Sequence, residues 1–393
     1  MTICALLIVI AVSSGLLAAQ SVTPEQMLKQ IFTAESVSGD WFSPAFLAQV
    51  PVAQLNDIIK QYSAALGALE DVQGNAPVFK LTFSKGYVTS QIILDNAGRV
   101  AGFFLGPPEP RVSGLDNALD GFSRLPGKVS VLVVSQGGVL AALNPELPLA
   151  VGSAFKLAVL AALKDQIAAG ALAWDNVATL EAGHISLPSG ILQAWPVGSL
   201  LTIHTLASLM ISVSDNTATD ALIALLGREF VEKYTALNHP LLTTREAFAL
   251  KNAANGDYLR TYRQGDPDQR RGVLKQLQSL PLPDAGSFTA PQALDVEWFF
   301  RATELVNLMA AVHDLSVFSI NPGVASPDNW QRIAFKGGSE PGVINLTTWL
   351  VGRSGTNYCV VATWNNDEVL DEVQFVGLYS GILRQLAEMD AKQ

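Results

Sequence analysis

Gly152-Ser153-Ala154-Phe155-Lys156 runs directly into Leu157-Ala158-Val159-Leu160-Ala161-Ala162-Leu163, and the reading of this stretch governs the rest of the chain. The run reads as an apolar helix opened by Ser153. A serine at the head of such a helix lies in a positive field, close to backbone N–H groups that have no helical partner. Those groups favour a developing alkoxide and later an oxyanion. A simple serine N-cap has the same sequence in isolation. Lys156 points to the reactive reading, because positions i and i+3 share a helix face. Its stem, between Phe155 and Leu157, is expected to be partly desolvated. Burial lowers the amine's pKa and lets it accept the Ser153 proton. Ser153 is therefore the candidate nucleophile and Lys156 its base.

Working outward, Ser214-Asp215-Asn216 follows an apolar stretch over 200–213 and precedes Thr217-Ala218-Thr219-Asp220. Taken alone it reads as a polar turn between helices, with Ser214 or Asp215 as the cap. Farther on, Lys336-Gly337-Gly338 sits at the end of an expected strand, Ile333-Ala334-Phe335. In this order the three motifs resemble the active site of the class A β-lactamases and the penicillin-binding proteins. The resemblance implies a serine hydrolase that works through an acyl-enzyme. It implies that Ser153, Lys156, Ser214 and Lys336 are catalytic, with Ser214 relaying a proton toward the leaving nitrogen. Asn216 would bind the substrate's acyl side chain, and Asp215, if buried, would hold the turn. Lys336 would support Ser214 electrostatically and help hold a substrate carboxylate. The backbone N–H of Ser339 would complete the oxyanion hole with that of Ser153, and Gly337 and Gly338 would line the substrate site.

The chain departs from this pattern in two places. Gly337 stands where the family has Thr or Ser, whose hydroxyl binds the carboxylate. Its loss removes one charge-assisted hydrogen bond, worth roughly 1.5–3 kcal/mol, for which the Ser339 hydroxyl is a candidate replacement. The Glu-x-x-Leu-Asn loop that activates the hydrolytic water in class A enzymes is also missing. The nearest carboxylate is Glu246. It is a candidate deacylation base, but Thr243-x-x-Glu246 before an apolar run is equally a capping box.

Period and turn signals give an α+β chain with two domains. Residues 129–134 and 139–143 read as strands around a tight turn at Gln136-Gly137-Gly138. A largely helical middle follows, to about residue 312. Strands return near 333–335, 343–351 and 358–363, before a last helix through Val373, Leu378, Ile382, Leu383 and Leu386. The two ends must then share one antiparallel sheet, with helices on its faces and a helical lobe inserted. The resemblance to β-lactamases implies the same architecture. Ahead of this, Val52, Leu55, Ile58, Ile59, Tyr62 and Leu66 mark an amphipathic helix. Three strands follow at 78–83, 87–94 and 100–105, ending at Pro107-Pro108-Glu109-Pro110. The expected domains are a signal peptide at 1–20, a small α+β domain at 21–107, a linker at 108–124 and the hydrolase domain at 125–393. In layout the chain is similar to the β-lactamase-like proteins of clavulanic acid gene clusters, which pair an NTF2-like domain with a serine hydrolase domain.

Composition narrows the partners. A formal charge of −10 without a Lys/Arg block argues against nucleic acid. The apolar run Ile3 to Val12, followed by small residues through Ala19, reads as a secretory signal. Cleavage is expected near Ala19 or Gln20, giving a secreted or periplasmic protein with no stable membrane span. An uncleaved anchor is the alternative, because no Lys or Arg precedes the run. Cys4 lies in that segment, which leaves Cys359 alone and rules out an intramolecular disulfide in the mature chain. His184, His204, His239 and His313 lack metal-ligand spacing, so no metal or cofactor is expected. The expected partner is a small molecule, a β-lactam or an acyl peptide or ester, hydrolysed through Ser153 with slow deacylation. The alternatives are a peptidoglycan D-Ala-D-Ala carboxypeptidase, an esterase, or a β-lactam-binding sensor that does not turn over.

Overall fold

In the computed structural model, which describes residues 22–106, 108–110 and 114–393, the chain divides into two units, Met1–Gly106 and Pro107–Gln393. The expected signal peptide lies outside the described residues. Among those described, no helix is long and apolar enough to cross a membrane.

The first unit begins with helix α1 (Pro24–Thr33). Its N-terminus is fixed by a capping box between Thr23 and Gln26 and by proline in the first turn. Helix α2 (Val52–Leu66) buries Leu55, Ile59, Tyr62 and Leu66, the stripe expected from the sequence. Four antiparallel strands follow in meander order, β1 (Leu69–Asn75), β2 (Val78–Phe83), β3 (Gly86–Leu94) and β4 (Val100–Leu105). Phe32 of α1 meets Phe83 of β2 edge to face at 5.3 Å, tying helix to sheet. Strand β1 escapes a periodicity reading because it is an edge strand with only Val72 buried. Its other residues are half-buried or exposed and carry no apolar alternation.

The second unit opens with helix α3 (Leu115–Ser123), then strands β5 (Lys128–Ser135) and β6 (Gly138–Leu143). The expectation of a linker over 108–124 is corrected here: α3 buries Ala118 and Phe122 in the core. The apolar run after Ser153 forms α4 (Lys156–Ala168), whose first eight residues are all buried. The lobe continues with α5 (Ile203–Ser212), α6 (Asn216–Leu226), α7 (Thr244–Lys251), α8 (Gly256–Gln264), α9 (Pro267–Leu277) and α10 (Ala302–Val312). Strands β7 (Arg332–Glu340), β8 (Val343–Val351) and β9 (Asn357–Asn365) and helix α11 (Glu372–Asp390) complete the unit.

These strands form one antiparallel sheet in the order β7-β8-β9-β5-β6. The two ends of the unit meet where β9 pairs with β5, Val360 opposite Val133. Strand β9 is almost wholly buried, because helices cover both faces. One core lies between the sheet and the lobe around α4, the other between the sheet and α3 with α11. In α11, Phe375, Tyr379, Ile382, Leu383 and Leu386 are buried, while Val373 and Leu378 are half-buried. The Tyr379 hydroxyl reaches Val360 O at 2.9 Å and Thr348 Oγ1 at 2.7 Å. Lys336 is not at a strand end as expected, because β7 runs on through both glycines to Glu340.

Phe122 packs edge to face on Phe375 at 5.4 Å and is fully buried. Phe122→Ala should therefore destabilise the second unit by about 3–5 kcal/mol, read as a lower urea midpoint. An unchanged midpoint would return α3 to the status of a linker.

Candidate active site

The path into Ser153 is fixed by a side-chain amide, a backbone hydrogen bond and a ring stack. The Asn365 side chain mimics a strand partner for Ala150, accepting from its N–H at 2.8 Å and donating to its carbonyl at 2.9 Å. Val151 N donates to Trp298 O at 3.0 Å. Phe155 then stacks on the Trp298 ring with centroids 4.1 Å apart. Between them Gly152 adopts φ +48°, a left-handed conformation that favours glycine. The chain makes one tight turn over Gly152–Phe155 before α4 begins at Lys156. Ser153, at the head of this turn, is half-buried.

Strand β7 presses its backbone against this turn. A Cβ on Gly338 would lie 2.1 Å from Val151 O and 2.5 Å from Ser153 N, so only glycine fits. The position where Gly152 would carry a Cβ is 3.4 Å from Ser339 N. The backbone N–H groups of Ser153 and Ser339 are thus neighbours at the helix head, where the resemblance places the oxyanion hole.

The second motif closes the site from the lobe side. Asp215 caps α6, accepting from Ala218 N at 2.8 Å, and its other oxygen accepts from Ile191 N at 2.7 Å and Leu192 N at 2.9 Å. It is fully buried, so it fastens the turn, as the resemblance implies. The residue before it is forced into φ +56° at Ser214, an uncommon state for a serine. That geometry aims the Ser214 hydroxyl between two amines. Lys156 Nζ reaches it at 3.1 Å and Lys336 Nζ at 3.0 Å. Lys156 Nζ also lies 2.6 Å from Ser214 O and 2.7 Å from Asn216 Oδ1, two acceptors that the two N–H groups of a neutral amine can serve. The Asn216 amide nitrogen donates to Leu187 O at 3.0 Å. Asn216 therefore orients Lys156 directly.

Both lysines are buried. Burial holds the Lys156 ammonium down to about 7, against the pull of Asp220, Asp215 and Glu340. Burial, with the neighbouring Lys156 charge, also holds Lys336 well below its ordinary value. A neutral amine at neutral pH has a lone pair and can take a proton, which an ammonium cannot. Asp220, one turn after Asn216, is a residue that the motif reading left without a role. Burial pushes it up to about 7. It accepts from Thr244 N at 2.7 Å, Thr244 Oγ1 at 2.9 Å and Arg245 N at 2.9 Å, pinning the start of α7.

Two expectations are corrected. Glu246 is no free base: its carboxylate accepts from Thr243 N at 2.9 Å in a capping box. Arg228 grips it with two bonds, at 2.9 and 2.6 Å. Its lone pairs serve the loop, because an enclosed carboxylate is stable only when paired. Nor does the Ser339 hydroxyl replace the one missing at Gly337. It donates to Glu372 Oε1 at 2.8 Å, on the α11 side of the sheet, since alternate strand residues point to opposite faces. At Gly337 itself, a Cβ would meet the Phe335 ring at 2.9 Å.

The β-lactamase enzyme family model matches residues 113–270, which carry the Ser153 and Ser214 motifs. No curated protein matches the chain. Among solved structures, a β-lactamase from Sphaerobacter thermophilus DSM 20745 is 22% identical over 72% of this chain and 97% of its own, with a TM-score of 0.47. A mutant of PBP-A, solved as an acyl-enzyme complex with penicillin G, is 15% identical over 71% of this chain and 99% of its own, with a TM-score of 0.48. A class A β-lactamase from Bacteroides cellulosilyticus DSM 14838 is 16% identical over 70% of this chain and 96% of its own, with a TM-score of 0.47. The matched residues lie within the second unit and stop short of the Lys336 motif.

Gly338→Ala should push β7 away from the Ser153 turn and abolish covalent labelling of Ser153 in a protein that still folds. Labelling at the normal rate would mean that the close approach is dispensable. Glu246→Gln should lower the thermal midpoint by several degrees, because it weakens a buried pair whose disruption costs about 3–5 kcal/mol at most. The same variant should label Ser153 and release the label at unchanged rates; slower release would restore Glu246 as a base.

Proposed function

We propose that the chain hydrolyses β-lactams, or related cyclic amides and esters, through a Ser153 acyl-enzyme that is released slowly. The supporting observation is the meeting of Lys156, Lys336 and Ser214 at one hydroxyl beside the Ser153 turn. In this reading the Ser153 Oγ attacks the substrate carbonyl while its proton passes to neutral Lys156. The N–H groups of Ser153 and Ser339 hold the oxyanion. As the ring C–N bond breaks, Ser214 hands a proton to the nitrogen and is resupplied by the lysines on either side. The Lys156 value of about 7 sets the sign of the pH dependence: acylation should rise with pH through about 7, as the amine loses its proton.

Release is slow because the loop carboxylate is engaged by Arg228 and Thr243. Losing a positioned base costs about 3–5 kcal/mol if general-base help is worth 10²–10⁴-fold. The lack of a side-chain hydroxyl at Gly337 supports a second reading for substrates without a carboxylate. A strand without that hydroxyl makes less demand for an anionic group, and simple esters would be accepted.

Intact-mass time courses with a penicillin, a cephalosporin and a simple ester test both readings. A β-lactam should add one adduct per chain, with a burst of product and then a slow steady rate. Ser153→Ala should show none, and Lys156→Ala should slow adduct formation by roughly 10²–10⁴-fold. Rapid, burst-free turnover, or an adduct that survives Ser153→Ala, would overturn the proposal.

A further inference from the structure

One buried lysine has no part in the chemistry proposed above. Lys251 is the last residue of α7, and its side chain is only 2% exposed. Its Nζ donates to Glu340 Oε2 at 2.6 Å and to Glu297 Oε1. Glu340 ends strand β7 and follows Ser339, whose backbone N–H lies at the head of the Ser153 turn. Glu297 precedes Trp298, whose carbonyl accepts from Val151 N and whose ring stacks on Phe155. Val151 and Phe155 lie on either side of Ser153 in the chain. Among the described residues, no other side chain bonds to both β7 and the segment at 297–298.

Lys156, Lys336 and Lys251 are all buried, but their surroundings differ. Lys156 and Lys336 meet hydroxyl, carbonyl and amide oxygens, and burial holds both below their ordinary values. Burial also works against the Lys251 ammonium, but the Glu297 and Glu340 carboxyl groups outweigh it and raise its pKa. A lysine that keeps its proton cannot serve as a base. It can join two segments of chain, because a charge enclosed with two charge-assisted bonds has no competing partner in water.

We propose that Lys251 is a positioning residue for the oxyanion hole, holding the Ser339 N–H of β7 at a fixed place beside the Ser153 N–H of the braced turn. The role rests on the acyl-enzyme reading above. Donors of this kind stabilise the tetrahedral oxyanion more than the planar carbonyl, so their spacing governs the acylation step and has little effect on substrate binding. A displacement of about 1 Å in such a site costs up to about 10²-fold in rate. Lys251 acts on both donors through the two carboxyl groups that it holds. Loss of the cation need not unfold the unit. Burial, with the Glu340 charge, pushes Glu297 up to about 8, so Glu297 keeps its proton at neutral pH. Glu340 is 17% exposed and can turn to water.

Full-length wild type and Lys251→Met are treated with penicillin G over a range of concentrations, well below both thermal midpoints. Adduct formation is followed by rapid quench and intact mass, which separates the saturating acylation rate from the apparent dissociation constant. Lys251→Met should lower the saturating rate roughly 10–10²-fold and leave the dissociation constant within about twofold. Glu246→Gln, which loosens a buried pair elsewhere in the lobe, should leave both unchanged, so lost stability alone does not produce the split. Burial holds Lys156 at about 7 against a pull that includes Glu340, and removing Lys251 strengthens that pull. The comparison is therefore repeated at about pH 9, where Lys156 is neutral in either protein. A deficit that persists there supports positioning; one that vanishes would overturn it, since Lys251 would then act on the Lys156 charge. If Lys251→Met does not fold, Glu340→Ala carries the test, with the Lys251–Glu297 bond intact and the same split expected. Equal saturating rates, or a loss confined to the dissociation constant, would overturn the role of Lys251. No wild-type adduct at all would instead overturn the acyl-enzyme reading on which it rests.

Discussion

Two lysine amines, Lys156 and Lys336, meet at the hydroxyl of Ser214 in a place where neither has ready access to water. An ammonium loses its hydration on burial, and a second ammonium nearby adds repulsion. The pair therefore sheds charge, and a group that is an inert cation in solution becomes a base. This depends on holding Ser214 at a left-handed φ of +56°. Asp215 enforces it by tying the turn to both the start of α6 and the 191–192 backbone. The carboxylate with the most hydrogen bonds in the motif does no chemistry itself, yet the amines could not converge without it.

The other half of the site rests on backbone proximity. Strand β7 is the edge of its sheet, so its outer side is not taken up by another strand. At Gly338 it lies so close to the Ser153 turn that no side chain fits. The Trp298 stack and the Asn365 amide hold that turn from behind. Oxyanion stabilisation of this kind works because the donors are fixed before any charge develops. Glycine at Gly152 and Gly338 is thus a requirement of this close approach and of the turn beside it.

Most buried acids in the lobe have structural work. Asp215, Asp220 and Glu246 each receive backbone N–H groups from a helix start or an adjoining loop, where free donors and the helix dipole favour negative charge. This use of carboxylates engages the lone pairs of each acid in holding backbone. Glu297 and Glu340 differ, because they are held by a lysine side chain, Lys251 at the end of α7.

Signals confined to a few neighbouring residues were legible in the sequence. The all-apolar run 157–163 announced a helix, and Thr243 with Glu246 announced a capping box, because helix formation and capping depend on residues within a turn or two. The order of the Ser153, Ser214 and Lys336 motifs was equally plain. Strand β1 was not, since an edge strand with one buried side chain leaves no alternation. Helix α3 was hidden among residues that read as a linker, and its place is set by Phe122 meeting Phe375 from the far end of the unit. Lys251, Glu297 and Glu340 are 46 and 89 residues apart in the two bonded pairs. Nothing in their local sequence distinguishes them from surface charge. The protonation of Glu297, like that of Lys156, follows from loss of water, and only the packed tertiary structure determines which groups lose it.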